Sequence, residues 1–197
     1  MKRAIFGGSF NPIHNDHIRL ALSFAERFDL DKVMLIPTYV TPLKDNSAIV
    51  DGRHRLKMCC LAAADYPRLE VSDIELRRKG TSYTSDTLAH YVDKGDELYL
   101  IVGADMYVTL DKWHDYRYIF DHATILVAPR NELDYHSLEE KYTEFQAENC
   151  HTLFLHDGVG PLSSTAVRAA VKRGESISDM VDTRVEEYIR KHGLYLA

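Results

Sequence analysis

The chain has 197 residues, 45% hydrophobic and 27% charged, with 30 acidic against 24 basic side chains and a formal net charge of −6. This length suits one α/β domain with a substantial core. The acidic balance argues against a nucleic-acid partner, and no run of about eighteen apolar residues offers a membrane span. The N-terminus reads straight into a strand, with no secretory segment ahead of it. Three cysteines, Cys59, Cys60 and Cys150, are an odd number and two are adjacent. They read as reduced thiols with a packing role in a cytoplasmic protein.

The first predicted strand, Arg3 to Phe6, runs into Gly7-Gly8, then a tight turn through Asn11-Pro12, then His14 and His17 as a helix begins at about Asn15. Glycines let the backbone approach a ligand closely. A helix start presents free N–H groups and a partial positive charge. Histidines three apart face one side of a first turn. Together these describe a phosphate site at the carboxyl end of a strand. Neither GxxxxGK[ST] nor GxGxxG is present. A His-x-x-His metal site would need a third ligand, and HExxH spacing is absent.

The predicted helix runs to Phe28 with Ile18, Ala21, Leu22 and Ala25 on its inner face. A buried strand, Lys32 to Ile36, follows and is stopped by Pro37. Strand, helix and strand with short links make a βαβ unit, so the strands are expected to be parallel with a right-handed crossover. Residues 37–50 form a loop at the strand's carboxyl end, with Lys44 as its one cation. Residues 51–65 read as a helix with Leu56, Cys60 and Ala63 or Ala64 inward, and Leu69 to Leu76 as a strand. In Lys79 to Leu88, Ser85 or Thr84 is placed to cap a helix starting near Asp86.

Glu97 to Val102 is a continuous apolar strand ending in Gly103-Ala104-Asp105, followed by Leu110 and Trp113. Gly103 leaves room for close backbone approach, and Asp105 offers an acceptor-only carboxylate. The lone tryptophan offers an aromatic face for stacking. Ala123 to Ala128 is another strand, with Arg130 just beyond it as a phosphate ligand; residues 131–149 read as a surface helix and His151 to Leu155 as the last strand. In Gly158 to Arg168, Ser164 and Thr165 stand at a helix start with Arg168 one turn on, a second set of phosphate donors. A final helix carries Val181, Val185, Tyr188 and Ile189 on one face and ends at Gly193. The alternation predicts a single domain over 1–197, a doubly wound, Rossmann-like parallel sheet flanked by helices, with the C-terminal helices (about 163–193) packed on it.

Residues 5–17, Ile-Phe-Gly-Gly-Ser-Phe-Asn-Pro-Ile-His-Asn-Asp-His, resemble the signature (G)GSF(D/N)P(I/V)HxGH of the nucleotidyltransferase superfamily. Ser82-Tyr83-Thr84-Ser85-Asp86-Thr87-Leu88 resembles the SYT-x-DTL string of bacterial nicotinate mononucleotide adenylyltransferases. Residues 103–113 are similar to their GxDxxxxLxxW pattern, and Leu162 to Arg168 to their ISSTxxR motif. The resemblance spans nearly the whole chain. It implies transfer of an adenylyl group from ATP to nicotinate mononucleotide, with Mg2+ carried by ATP and no protein metal cage. It implies His14, His17 and Arg168 as catalytic residues, with Gly8, Ser9, Phe10, Gly103, Asp105, Ser164 and Thr165 also around ATP. It places Tyr83 and Thr84 on the pyridine carboxylate, Trp113 on the pyridine ring, and Lys44, His114 and Arg130 around the mononucleotide. A homo-oligomer is left open.

One position departs from the pattern. Asp16 stands where the signature has glycine, and this places a carboxylate where a triphosphate is expected to approach. Two alternatives follow: a non-catalytic nucleotide binder, and an adenylyltransferase for another acceptor such as phosphopantetheine. The pantetheine-type enzymes are typically shorter, carry Thr at the first His and lack the Trp pattern. A fragment related to class I tRNA synthetases is disfavoured by the short acidic chain and by the lack of a KMSKS-like motif.

Overall fold

In the first strand Ile5 packs into one apolar layer while Ala4 and Phe6 pack into the other. Burial on both faces is the reason the strands read as unbroken apolar runs. The computed structural model describes residues 1–42, 49–129, 134–155 and 160–196. Strands β1 (Lys2–Gly8), β2 (Lys32–Pro37), β3 (Leu69–Val71), β4 (Glu97–Gly103), β5 (Ala123–Ala128) and β6 (Thr152–Phe154) form one sheet in the order β3-β2-β1-β4-β5-β6. Every pairing is parallel. The doubly wound sheet is therefore observed as expected.

The helices are α1 (Asn15–Arg27), α2 (Gly52–Ala63), α3 (Ile74–Arg78), α4 (Thr84–Val92), α5 (Ala104–Tyr107), α6 (Tyr116–His122), α7 (Asp134–Ala147), α8 (Ser164–Lys172) and α9 (Thr183–His192). One core is shared by α1, α2, α8 and α9, through residues such as Phe24, Met58, Val167 and Ile189. The other is shared by α4, α5, α6 and α7, through Leu88, Tyr107, Ile119 and Phe145. The C-terminal helices thus belong to the same core as the first βαβ unit.

Four expectations are corrected. The strand predicted from Leu69 to Leu76 stops at Val71, and α3 takes over after Asp73. An Arg77–Asp73 pair at 2.8 Å spans the helical turn, and the turn swings Glu75 inward to accept from Thr87 Oγ at 2.7 Å. The next helix begins at Thr84, with Tyr83 rather than Thr84 or Ser85 at the cap and no side-chain cap bond. In α2 the inner face is Arg55, Met58, Cys59, Ala62 and Ala63, so Cys60 is exposed and Leu56 only half-buried. Helix α6 was not anticipated; Ile119 and Phe120 are its buried residues. The cysteines are all free thiols, and burial pushes Cys150 up to about 11 and Cys59 higher still, consistent with packing rather than chemistry.

Glu75 ties α3 to α4. Burial raises its carboxyl above the ordinary glutamate range, against the Thr87 hydrogen bond and the nearby charges of Arg78 and Arg55. A group raised in this way contributes its full stability below the unfolded-state pKa and loses it as pH climbs through the folded-state value. Glu75→Gln keeps an acceptor for Thr87 and has no charge to bury. Thermal denaturation from about pH 4 to about pH 8 should show the variant gaining on wild type as pH rises. A constant Tm difference across that range would sink the assignment.

Candidate active site

β1 and β4 are neighbours whose helical connections leave in opposite directions. Their carboxyl ends, Gly8 and Gly103, therefore flank the switch point where doubly wound sheets bind ligands. The chain leaving Gly8 turns through Phe10, a bulky residue at φ 43°. That conformation is costly for a side chain of this size and persists because its ring is locked in place. Phe10 is 2% exposed, edge-on to Phe6 at 5.6 Å and to His17 at 5.2 Å between centroids. A Cβ on Gly8 would lie 3.3 Å from that ring, so glycine leaves room for the phenylalanine. Phe10 can meet a nucleotide only through its backbone.

The turn leaves the sheet, so its carbonyls need other donors. Gly8 O accepts from Thr38 N at 2.9 Å, Ser9 O from Arg55 Nη1 at 2.7 Å, Asn11 O from Arg168 Nη1 at 2.8 Å and Pro12 O from Ser164 Oγ at 2.7 Å. Asn11 Oδ1 accepts from Val50 N at 3.2 Å and from Tyr195 OH at 3.0 Å. Arg55 also donates to Thr38 O at 2.7 Å and Val50 O at 2.9 Å. Its guanidinium is 2% exposed, and desolvation lowers its pKa. It spends its donors on carbonyls and leaves a positive charge beneath the turn. Periodicity did not identify Arg55, Asn11 or Tyr195 as parts of the site.

His14 is the N-cap of α1, and its ring stacks on that of His17 at 3.6 Å between centroids and 25° between planes. The His14 N–H donates to His17 Nδ1 at 3.2 Å. In the neutral ring this leaves Nε2 of His17 as the hydrogen-bearing nitrogen. The paired imidazoles expected from the spacing are therefore present. Ser163 caps α8, accepting from Ala166 N at 3.1 Å, and Arg168 Nη2 donates to Thr165 Oγ1 at 3.2 Å. The bonds from Arg168 and Ser164 to the turn bring both phosphate motifs together.

Asp16 does not lie across the phosphate approach, and that expectation is corrected. Its side chain is 4% exposed and pairs with Arg19, while Oδ2 accepts from Leu162 N at 2.8 Å. The carboxylate faces the segment entering α8.

On the other side of the site, the Tyr83 and His114 rings lie 4.2 Å apart at 31°, which joins the SYT string to the end of the Trp pattern. Thr84 is the first residue of α4 and is half-buried, as is Trp113. Ser82 N donates to Val40 O and Ser82 Oγ accepts from Tyr39 N, both at 2.9 Å, so the loop after β2 closes on the same region. Asp105 is exposed in α5. A Cβ on Gly103 would stand 2.8 Å from Asp105 Oδ1, so glycine there makes room for the carboxylate as well as for any ligand. Lys44, Arg130 and Gly158 lie outside the described residues. Among the described residues no group of three His, Cys, Asp or Glu side chains is placed to hold a metal ion, and no helix is long and apolar enough to cross a membrane.

A cytidylyltransferase-like family profile matches residues 5–170. The chain belongs to the cytidylyltransferase-like family. Within it, the chain is 38% identical over 199 residues to a protein of Dictyoglomus thermophilum, covering all of both chains. It is 34% identical over 198 residues to one of Clostridium tetani, covering 98% of each. Both relatives bear the name probable nicotinate-nucleotide adenylyltransferase. Among solved structures, Plasmodium falciparum nicotinic acid mononucleotide adenylyltransferase complexed with NaAD superimposes with a TM-score of 0.78 at 16% identity, covering 99% of this chain and 98% of that one. At that identity the likeness establishes the shared fold.

In this cytidylyltransferase-like chain Arg55 holds three loop carbonyls together. Arg55→Leu strands those buried acceptors and should cost about 3 kcal/mol of unfolding free energy. Urea denaturation measures this; a loss below about 0.5 kcal/mol would show that the carbonyls find other donors.

Proposed function

We propose that this chain transfers the adenylyl group of ATP to nicotinate mononucleotide, giving nicotinate adenine dinucleotide and pyrophosphate, as a cytoplasmic enzyme of NAD biosynthesis. The observation that carries the reading is the junction of the two phosphate motifs. Arg168 and Ser164 of α8 bond to the Asn11 and Pro12 carbonyls, beside the stacked His14 and His17. The full-length relatives named for this activity support the choice of acceptor.

The mononucleotide phosphate oxygen attacks the α-phosphorus of ATP in line; that P–O bond forms as the α–β bridge breaks, and pyrophosphate leaves with the electron pair. The attacking oxygen is already ionised, so no general base is required. The residues supply position and charge stabilisation. His17 Nε2, His14 and Arg168 neutralise developing charge on the transferring phosphates. Ser164, Thr165 and the N–H groups opening α8 hold the departing pyrophosphate. Gly8, Ser9 and the Phe10 backbone border the ATP phosphates, and Asp105 accepts from the ribose. Tyr83, Thr84, Trp113 and His114 take the pyridine nucleotide, with Trp113 stacking on the ring. The donors at the phosphate end are imidazole, guanidinium and hydroxyl groups, suited to anions, so we assign Mg2+ to the incoming ATP complex.

Pyrophosphate release with MgATP is the deciding assay, run separately with nicotinate mononucleotide, nicotinamide mononucleotide and phosphopantetheine. Turnover should favour the nicotinate form. Turnover with phosphopantetheine alone would reassign the acceptor, and ATP binding without turnover would leave a nucleotide-binding protein. His17→Ala should lower kcat by about 10²–10³; a loss under about threefold from a folded variant would remove His17 from the chemistry. Trp113→Ala should raise KM for the mononucleotide about tenfold and leave KM for ATP in place. An equal rise in both would take Trp113 off the pyridine ring.

A further inference from the structure

We propose that Asp16 is a positioning residue that latches the Ser163–Arg168 segment onto the His14–His17 turn, with Gly160 as its required counterpart. The proposal rests on the adenylyl-transfer reading only for its kinetic consequence; the latch itself is a matter of geometry.

The two phosphate motifs lie at opposite ends of the chain and must be held in register. The bonds from Ser164 to Pro12 and from Arg168 to Asn11 do this. Both use donors that the reaction assigns to phosphate. When a triphosphate draws on those donors, the protein–protein bonds weaken. The bond from Leu162 N to Asp16 Oδ2, 2.8 Å across a sequence separation of 146, uses no phosphate ligand. It can therefore persist through turnover. A buried carboxylate is retained only where its charge is met, and here the Leu162 amide and Arg19 meet it.

Gly160 completes the arrangement. A Cβ built there would meet three atoms first, all in the Asp16 carboxylate: Oδ2, Cγ and Oδ1, the last two at 2.5 Å. Its backbone is not in the left-handed region, which Gly80, Gly95, Gly174 and Gly193 occupy. The residue is thus small for proximity and not for conformation. Any side chain at 160 pushes Asp16 off Leu162. A glycine at 16, which the resembled signature carries, would leave that space open.

The test is a double-mutant cycle on the full chain: wild type, Asp16→Asn, Asp16→Gly, Gly160→Ala and the pair Asp16→Gly/Gly160→Ala. Asp16→Gly should raise KM for ATP and lower kcat, each about tenfold, with KM for the mononucleotide unmoved. Gly160→Ala should do the same. The pair should be no worse than either single change, because one contact is removed in all three. Asp16→Asn keeps an acceptor for Leu162 and should lose about threefold. Hydrogen exchange at the Leu162 amide gives a readout independent of activity: slow in wild type and Asp16→Asn, fast in Asp16→Gly and Gly160→Ala. A wild type with a slow Leu162 amide and no pyrophosphate release would reject the transferase reading and keep the latch. Equal exchange at Leu162 in wild type and Asp16→Gly, multiplying effects in the pair, or an Asp16→Gly enzyme as fast as wild type would each overturn it.

Discussion

The backbone of residues 9–12 has to leave the sheet before it can face a ligand, and its carbonyls then have no strand to pair with. Everything around the site answers that constraint. Thr38 closes the strand ladder on Gly8; beyond it Arg55 takes Ser9, Arg168 takes Asn11 and Ser164 takes Pro12. Leaving such groups buried without donors would cost about 1–3 kcal/mol each. The donors come from the loop after β2, from α2 and from α8, so satisfying one turn gathers segments from both ends of the chain. Hydrogen bonds from Ser164 and Arg168 add to the apolar contacts of Val167 and Ala170 in setting the position of α8.

The sheet explains why this turn is the place for chemistry. With the order β3-β2-β1-β4-β5-β6, the chain departs to one side after β1 and to the other after β4. The first-strand turn leaves from the carboxyl end of β1, at one side of this switch point. Asp105 and the Trp113–His114 segment follow β4 on the other. Tyr83 reaches across from the start of α4 to lie against His114. The histidine–arginine cluster and the Tyr83–His114 pair thereby each draw on segments from both halves of the sheet.

Much of this was legible in the sequence, for stated reasons. Strands buried on both faces announce themselves as apolar runs, and the four motif strings carry their residue types at fixed spacing. The parts that were not legible are those where a polar residue does structural work inside. Arg55 occupies the inner face of α2, so a reading by apolar period rotated that helix and put Cys60 inside in place of Cys59. Glu75 turns inward through α3, so residues 74–76, which alternate well enough to extend a strand, enter a helical turn. Asp16 looks like an obstacle when judged by charge alone. Its orientation depends on Leu162 and Gly160, about 146 residues away, and no local pattern reports such a partner.

The remaining difficulty is electrostatic. In a protein of net charge −6, any anion site has to be made locally. Surface lysines would be a poor solution, because exposed charges are screened within about 10 Å. The positive charge is placed where screening is weak. Arg55 lies wholly inside under the turn, with desolvation working against its own protonation. Arg168 is half-buried at the turn's edge, and helices α1 and α8 direct their starts to the same region. Burying a guanidinium is unfavourable in itself, and fully bonded loop carbonyls offset that cost. The structural fastening of the turn and the buried positive charge beneath it thus share one group: the arginine that satisfies the carbonyls.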